Sequence, residues 1–586
     1  MYKFIYSLLS VLGISLLLEN YPKLDGVIPN NFIFVILFFV FLFFINNAKI
    51  TYNKRNIIYS SIFSFIISFI LVVGSRLELN YEAIFTILSI TNIISLMIML
   101  VPIIIYLFNF KIKDKKTHNF KNKKFLFLKL FILIWLCGFL GWLALYPGGY
   151  DYDAPAQIRQ FLYKSVNITT HYSVLFSYIE YLVISTSYKI FKSYQAAIGL
   201  FTLLQMTVVA LITSYTTYFI AKETNYNKIL TITALLFYCL FPFHILLQVS
   251  CVQDTLFSCS MLIFMIQLYK LINHSDIKKK NIIILALSGM LMTLFRNNGI
   301  YILLFSLVCS ILIKLLFKIK FNFKIYNVLL VFIIVLYYFY SLIFIPLANI
   351  KSKDSLREMS SIPSQQLASA YNYSYHSFTN KELELLNKFY PSCKFWTYTV
   401  RKSNSDGIKR CLNQDYTKKH FDDYIGLYIS IGKKNPILYG EAFLLHTLGY
   451  WYPNKSYPDE RIFHPYIEYQ ISKPHRFNKN LIQIKRSSKF KPYEKLLNFI
   501  LNQNKWQSIP LFSSICSIGT YFILILYLLF LALYRKRHEY LLYLSIYIGL
   551  YITLFLSPVA LYRYVYPVVI ALPLLLLLMY NLYTDK

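Results

Sequence analysis

No Walker-type phosphate loop occurs in the sequence, which disfavours an ATP-driven transporter. Neither G-x-S-x-G nor H-E-x-x-H is present, so a nucleophile-elbow hydrolase and a zincin are excluded. Cysteine is scarce and never falls in C-x-x-C or His/Cys ligand spacing, which removes a structural zinc site. Six of the eight cysteines (137, 239, 251, 259, 309 and 516) lie in or beside apolar runs as small core residues. Only Cys393 and Cys411 lie in a polar region, and they form the one candidate disulfide. Charge is sparse too, at 15% of residues against 57% hydrophobic, and the mean hydropathy is positive.

What fills the chain is a series of apolar runs long enough to span a bilayer core. Runs such as "FIFVILFFVFLFFI" are continuous rather than alternating, so they read as helices and not as strands of a barrel. The first segment, "FIYSLLSVLGISLLL", has no small-residue cleavage site and is read as a retained helix. The net charge of +33 is assigned to cytoplasmic loops facing anionic lipid; no nucleic-acid partner is expected.

Orientation follows from the basic segment 110–124, which carries seven lysines against one aspartate and reads as cytoplasmic. The next helix then runs outward, and the segment "YPGGYDYDAPAQIRQ", with Asp151 and Asp153, lies outside. The stretch 172–191 poses a parity problem. If it crossed, the lysine-bearing "NHSDIKKKN" and "KIKFNFK" would both lie outside. The segment 171–194 around it carries Glu180, Lys189 and five tyrosines, which suit the lipid–water boundary, so it reads as a helix lying on the outer surface. The expected fold is therefore an all-α polytopic membrane protein of about fourteen transmembrane helices, both termini inside, with a mostly helical extracytoplasmic domain. Its parts are residues 1–124 (four helices and a basic loop), 125–349 (a membrane module with first outer loop 147–194), 350–510 (the outer domain) and 511–586 (three helices). Within the outer domain, "NKELELLNKFY" and "YEKLLNFILNQ" read as amphipathic helices and "GYWYPNKSYPDE" as an aromatic turn.

This topology gathers four polar sites on the outer face: the YDYD loop, Asp254, Arg296 and Arg563. Singly, an arginine at a helix end is a snorkelling anchor, and Asp153 or Asp254 caps a helix. Together they suit glycosyl transfer at the membrane surface. Asp153 would take the proton of an incoming hydroxyl, and Arg296 and Arg563 would hold the departing phosphate. Asp151 is a candidate metal ligand or partner of Arg159.

The "YPG" that opens the outer loop, the "DAPAQ" that follows it and the His-containing "TTHYSVLFSYI" resemble the GT-C superfamily of integral membrane glycosyltransferases. Within it, "VQDTLF", "FRNNGIY", "IPSQQLA", "GYWYP" and "RYVYP", in that order, look like a branch of uncharacterised bacterial membrane proteins. The resemblance spans roughly residues 125–570. It implies a GT-C-like catalytic module, inverting transfer from a polyprenyl-phosphate sugar donor to a glycan, lipid or protein acceptor, and a catalytic aspartate at Asp153. A second outer-loop acid is implied at Asp254. The pattern departs at Thr170-His171-Tyr172, where His-His-Pro is usual, and at Gln253-Asp254, where Lys-Asp is usual. Gln157, His171, Tyr562 and Tyr566 complete the expected substrate-binding set, the tyrosines lining a lipid-side groove. The expected location is the cell membrane, with the active site on the extracytoplasmic face. No cofactor is expected other than an optional divalent metal. A polysaccharide polymerase and a transporter or flippase of lipid-linked glycans are the alternatives.

Overall fold

The computed structural model describes residues 7–8, 31–47, 53–78, 86–112, 125–150, 153–162, 167–274, 278–319, 321–351, 356–391, 393–395, 404–453, 484, 487–501, 507, 509 and 512–584. Among these the chain is helical, and its β pairing is confined to three isolated bridges. Seven helices are long and apolar enough to cross a membrane, or nine if each of two bent pairs is one span. The protein is a multi-pass, all-α membrane protein.

Two of these spans are bent pairs. Lys228–Leu240 meets Pro242–Gln248 at 59°, and Tyr562–Ile570 meets Leu572–Thr584 at 46°. Pro242 and Pro573 stand at the starts of the second halves, where a missing N–H and a fixed φ suit a new helix but not the continuation of an old one. The backbone freed by a bend needs a partner inside the bilayer. Tyr238 provides one, donating its hydroxyl to the Ile570 carbonyl at 2.8 Å.

The path of the chain around 145–193 is set by a ladder between Leu126–Ala144 and Tyr194–Glu223. Trp142 Nε1 donates to Gly199 O and Thr202 Oγ1, Trp135 Nε1 donates to Thr207 Oγ1, each at 3.0 Å, and Phe127 lies 6.2 Å from Tyr218. These helices run antiparallel in register, so the intervening segment leaves and returns at the same end of the bundle. Within it, Val174–Phe191 turns at Lys192, whose φ of 51° is left-handed, and folds back along the first turns of Tyr194–Glu223. Tyr188 stacks on Tyr194 at 4.1 Å and Phe176 meets Phe201 at 6.1 Å. One face of Val174–Phe191, including Phe176, Glu180 and Ile184, is buried, and it is not among the helices long and apolar enough to cross a membrane.

Between the membrane helices, Ser361–Tyr373, Asn380–Phe389, Phe421–Lys434 and Pro436–Trp451 enclose a core of Phe389, Tyr390, Leu427 and Ile431. The first amphipathic segment forms Asn380–Phe389, closed by a reciprocal Thr379–Glu382 capping box. The second forms Lys491–Leu501, but it packs on the membrane helix Leu126–Ala144, with Lys489 N bonding to Leu143 O at 2.8 Å. "GYW" is the last turn of Pro436–Trp451 rather than an open turn. Tyr452, just beyond, wedges against Gly74, where any Cβ would lie 2.2 Å from its ring. Cys393 and Cys411, the candidate disulfide pair, lie in side-chain contact as free thiols. Cys393 Sγ points at Ile408 O and Cys411 Sγ at Gly407 O.

Candidate functional site

The site begins with a backbone contact. Gly149 N donates to Val249 O at 2.9 Å and Cys251 N to Gly149 O at 2.7 Å, making a parallel bridge between Gly149 and Ser250. A Cβ on Gly149 would sit 2.6 Å from Ser250 Oγ, so this approach requires glycine. Thr202 Oγ1 fixes one strand of the bridge through Pro147 O (2.6 Å), and Gln205 Nε2 fixes the other through Ser250 O (2.7 Å). Four positions on from each partner of the bridge stands an aspartate. These are Asp153, which opens the helix Asp153–Leu162, and Asp254, in the first turn of Gln253–Asn273.

Gln253 ties the neighbouring elements together. Its Oε1 accepts from Ser173 N at 2.9 Å and from Gln157 Nε2 at 3.5 Å. Ser173 caps Val174–Phe191 by accepting from Phe176 N, and its hydroxyl donates to Leu294 O at 2.7 Å. That contact brings the end of the Lys279–Phe295 helix, and Arg296 after it, to the two aspartates.

Arg296 Nη1 pairs with Asp254 Oδ1. Arg563 Nη1 lies 2.5 Å from Asp153 Oδ2, and its Nε lies 3.6 Å from Asp254 Oδ2. The ring of Tyr564 lies against both guanidinium groups, 4.3 Å from Arg296 and 5.0 Å from Arg563, a cation–π arrangement that keeps two like charges side by side. Two carboxylates and two guanidinium groups balance to zero. Their accessibilities differ in a way that separates roles: Asp254 is 2% exposed and faces both arginines, whereas Asp153 is 26% exposed and faces only Arg563. Asp254 is a counter-ion held in place; Asp153 is the carboxylate open to a ligand.

Two further groups face this cluster. Burial, followed by the charge of Asp153, pushes the Tyr172 phenol up, with Arg563 opposing. Glu180 is fully buried, and neither of its carboxylate oxygens has a hydrogen-bond partner among the described residues. Burial, with the charge of Asp153 adding to it, pushes its carboxyl well above the ordinary range.

The helix Pro436–Trp451 and the residues around Ser405 hold the segment just before Arg563. His446 Nε2 bonds to Ser557 O at 2.8 Å, Tyr450 donates to Val559 O at 2.9 Å, and Ser405 N donates to Pro558 O at 3.0 Å. A carbonyl only accepts, so His446 carries its proton on Nε2 and its Nδ1 accepts from Gln365 Nε2 at 3.2 Å. Residues from "IPSQQLA" and "GYWYP" thus hold the segment that leads into "RYVYP".

Of the site residues expected from sequence, Asp153, Asp254, Arg296 and Arg563 come together, with Gln157 behind them. Asp151 lies outside the described residues. His171 is exposed and packs edge-on against Tyr172 at 4.5 Å. Tyr562 and Tyr566 correct the expected groove: both are buried in the bundle, Tyr562 stacked on Phe243 at 3.9 Å and Tyr566 bonded to His244 Nδ1 at 2.8 Å. Residues four apart share a helix face, and Tyr564, two positions from each, points elsewhere and meets the arginines. Tyr172, Ser173 and Glu180 were not singled out as site residues, although each lies in or beside a quoted motif. Among the described residues no three His, Cys, Asp or Glu side chains gather as metal ligands.

No curated protein and no solved structure matches the chain. A model of a family of unknown function, DUF6020, matches residues 164–585. That span takes in Asp254, Arg296, Arg563 and Tyr564 and well over half of the sequence, and the chain belongs to this family.

Proposed function

We propose that the protein is a membrane glycosyltransferase of GT-C type, moving a sugar from a polyprenyl-phosphate donor to a glycan, lipid or protein acceptor, with Asp153 as base. The observation that carries this reading is the direct Asp153–Arg563 pair at a helix end, backed by Asp254 and Arg296. The acceptor hydroxyl passes its proton to Asp153 as its oxygen bonds to the anomeric carbon. The bond from that carbon to the phosphate oxygen breaks on the opposite face, and its electron pair leaves with the phosphate. Protonating Asp153 removes the counter-ion of Arg563, whose fork then turns to the phosphate charge. Proton uptake and leaving-group capture are thereby one event. Attack opposite the leaving group inverts the anomeric centre.

In this reading the chain spans the cell membrane about fourteen times, with the site on the extracytoplasmic face. The test is release of polyprenyl phosphate from a lipid-phosphate sugar by the purified chain in lipid nanodiscs. Asp153→Asn should abolish release while leaving the fold intact; undiminished release by that variant would remove the catalytic claim. A carrier of lipid-linked glycans is the second reading, favoured by the two bent helix pairs that meet at Tyr238–Ile570 and His244–Tyr566. It predicts transbilayer movement of the lipid-linked glycan with no chemical release.

A further inference from the structure

One helix length from the carboxylate cluster, about 27 Å along the 18 residues of Gly299–Leu316, lies a cavity of about 470 Å³. It is formed by the turn between this helix and Phe323–Leu347, and its lining includes Lys314, Lys318, Lys324, Phe317, Phe321 and Asn322. No lining residue is acidic, and none of the three lysines makes an ion pair or hydrogen bond with a described residue. Three uncompensated cations among the described residues of 314–324 repel one another, and an anion between them relieves that repulsion.

The walls are braced rather than loose. Phe317 stacks on His538 at 4.0 Å, and Phe321 packs edge-on against Phe323 at 4.8 Å and Tyr326 at 5.9 Å. Below the cavity the two helices continue as an apolar stripe with no protein cover: Leu312, Leu315, Leu316, Val328, Val331 and Val335 are all exposed. A basic, aromatic-walled opening at the helix ends joined to an uncovered apolar stripe matches a phosphate headgroup with acyl chains beneath it, rather than a soluble anion. We propose that this cavity is a binding site for the phosphate of an anionic diacyl phospholipid, at the face of the membrane opposite the carboxylate cluster.

The proposal is independent of the transferase reading, and its test needs no enzyme assay. The full-length chain in detergent is offered dioleoyl-phosphatidylglycerol, dioleoyl-phosphatidylcholine or inorganic phosphate. Bound lipid is counted by native mass spectrometry and thermal unfolding is followed by tryptophan fluorescence. Wild-type protein should retain and be stabilised by phosphatidylglycerol over phosphatidylcholine, with no effect of inorganic phosphate. Each of Lys314→Gln, Lys318→Gln and Lys324→Gln should weaken retention about fivefold, and the triple variant should lose it. The single variants carry the test if the triple variant does not fold. Lys278, Lys279 and Lys280, at the same end of the bundle, serve as the control, and their triple Gln variant should behave as wild type. Equal retention of both lipids, unchanged retention in all three single variants, or equal loss in the control would each overturn the proposal. Stabilisation by inorganic phosphate alone would overturn the lipid assignment.

Discussion

Replacing Asp254 by asparagine removes one of two carboxylates from a cluster in which both guanidinium groups are nearly buried, Arg563 at 8% and Arg296 at 12% exposure. The shape of the side chain is kept, but the cluster changes from neutral to a net charge of one. Two unit charges about 4 Å apart interact by roughly 4 kcal/mol at an effective dielectric of 20, which bounds each pairing. Removing one member of a buried pair typically costs about 3–5 kcal/mol, because the other charge is left without compensation. Asp254→Asn should therefore lower stability by about 3–5 kcal/mol. Asp153→Asn, at a more exposed carboxylate facing one arginine, should lose about 1–2 kcal/mol. Unfolding of the detergent-solubilised protein, followed by tryptophan fluorescence against denaturant, measures the order. Combining Asp254→Asn with Arg296→Gln restores neutrality, so the double variant should be less destabilised than the sum of the singles. Transfer should show the reverse order, with Asp153→Asn the more damaging. Equal destabilisation by the two single variants, or strict additivity in the double variant, would refute the division into a buried counter-ion and an open base.

Gly149→Ala places a Cβ 2.6 Å from Ser250 Oγ and should part the bridge that precedes Asp153 and Asp254, costing about 1–3 kcal/mol and most of the transfer activity in the same two assays. Glu180 has a carboxyl raised in the folded state, so keeping it neutral costs stability progressively as pH rises above the unfolded value of about 4.3. Glu180→Gln cannot ionise, and its melting temperature should gain on wild type between pH 5 and pH 8; a constant difference across that range would place an ionised carboxylate there. Single cysteines at Lys192 and Lys279 in a cysteine-depleted background should differ towards an impermeant thiol reagent on intact cells, with Lys192 labelled and Lys279 protected, since they stand at opposite ends of the bundle; the opposite pattern would put the carboxylate cluster in the cytoplasm.

Where sequence reasoning held, the signal was local or additive. Continuous apolar runs place helices in lipid wherever they occur, and the "NKELELLNKFY" periodicity with Thr379 before it contains its own start and face. Where it fell short, a distant partner decided. The stretch 172–191 carries Glu180 and many tyrosines, a composition suited to an interface, and the neighbouring helix Tyr194–Glu223 and the loop helix Asp153–Leu162 cover its inner face and bury that acid. The three tyrosines of "YRYVYP" look equivalent in a string, but the helical repeat turns Tyr562 and Tyr566 into the bundle and Tyr564 onto the arginines.

Composition alone settles that this chain folds in a membrane as helices, because the transfer of apolar side chains and the internal pairing of backbone groups depend on residue type and run length rather than on what the run touches. The candidate site depends on contacts the string does not contain. Asp153 and Arg563 are 410 positions apart, and their pairing requires the Gly149–Ser250 bridge, the Ser173–Leu294 bond and the hold of His446 and Tyr450 on residues 557–559. Each of these is a short-range interaction between groups that only the packed helices bring within reach, so the tertiary structure determined which carboxylate is buried as a counter-ion and which is left open to a ligand.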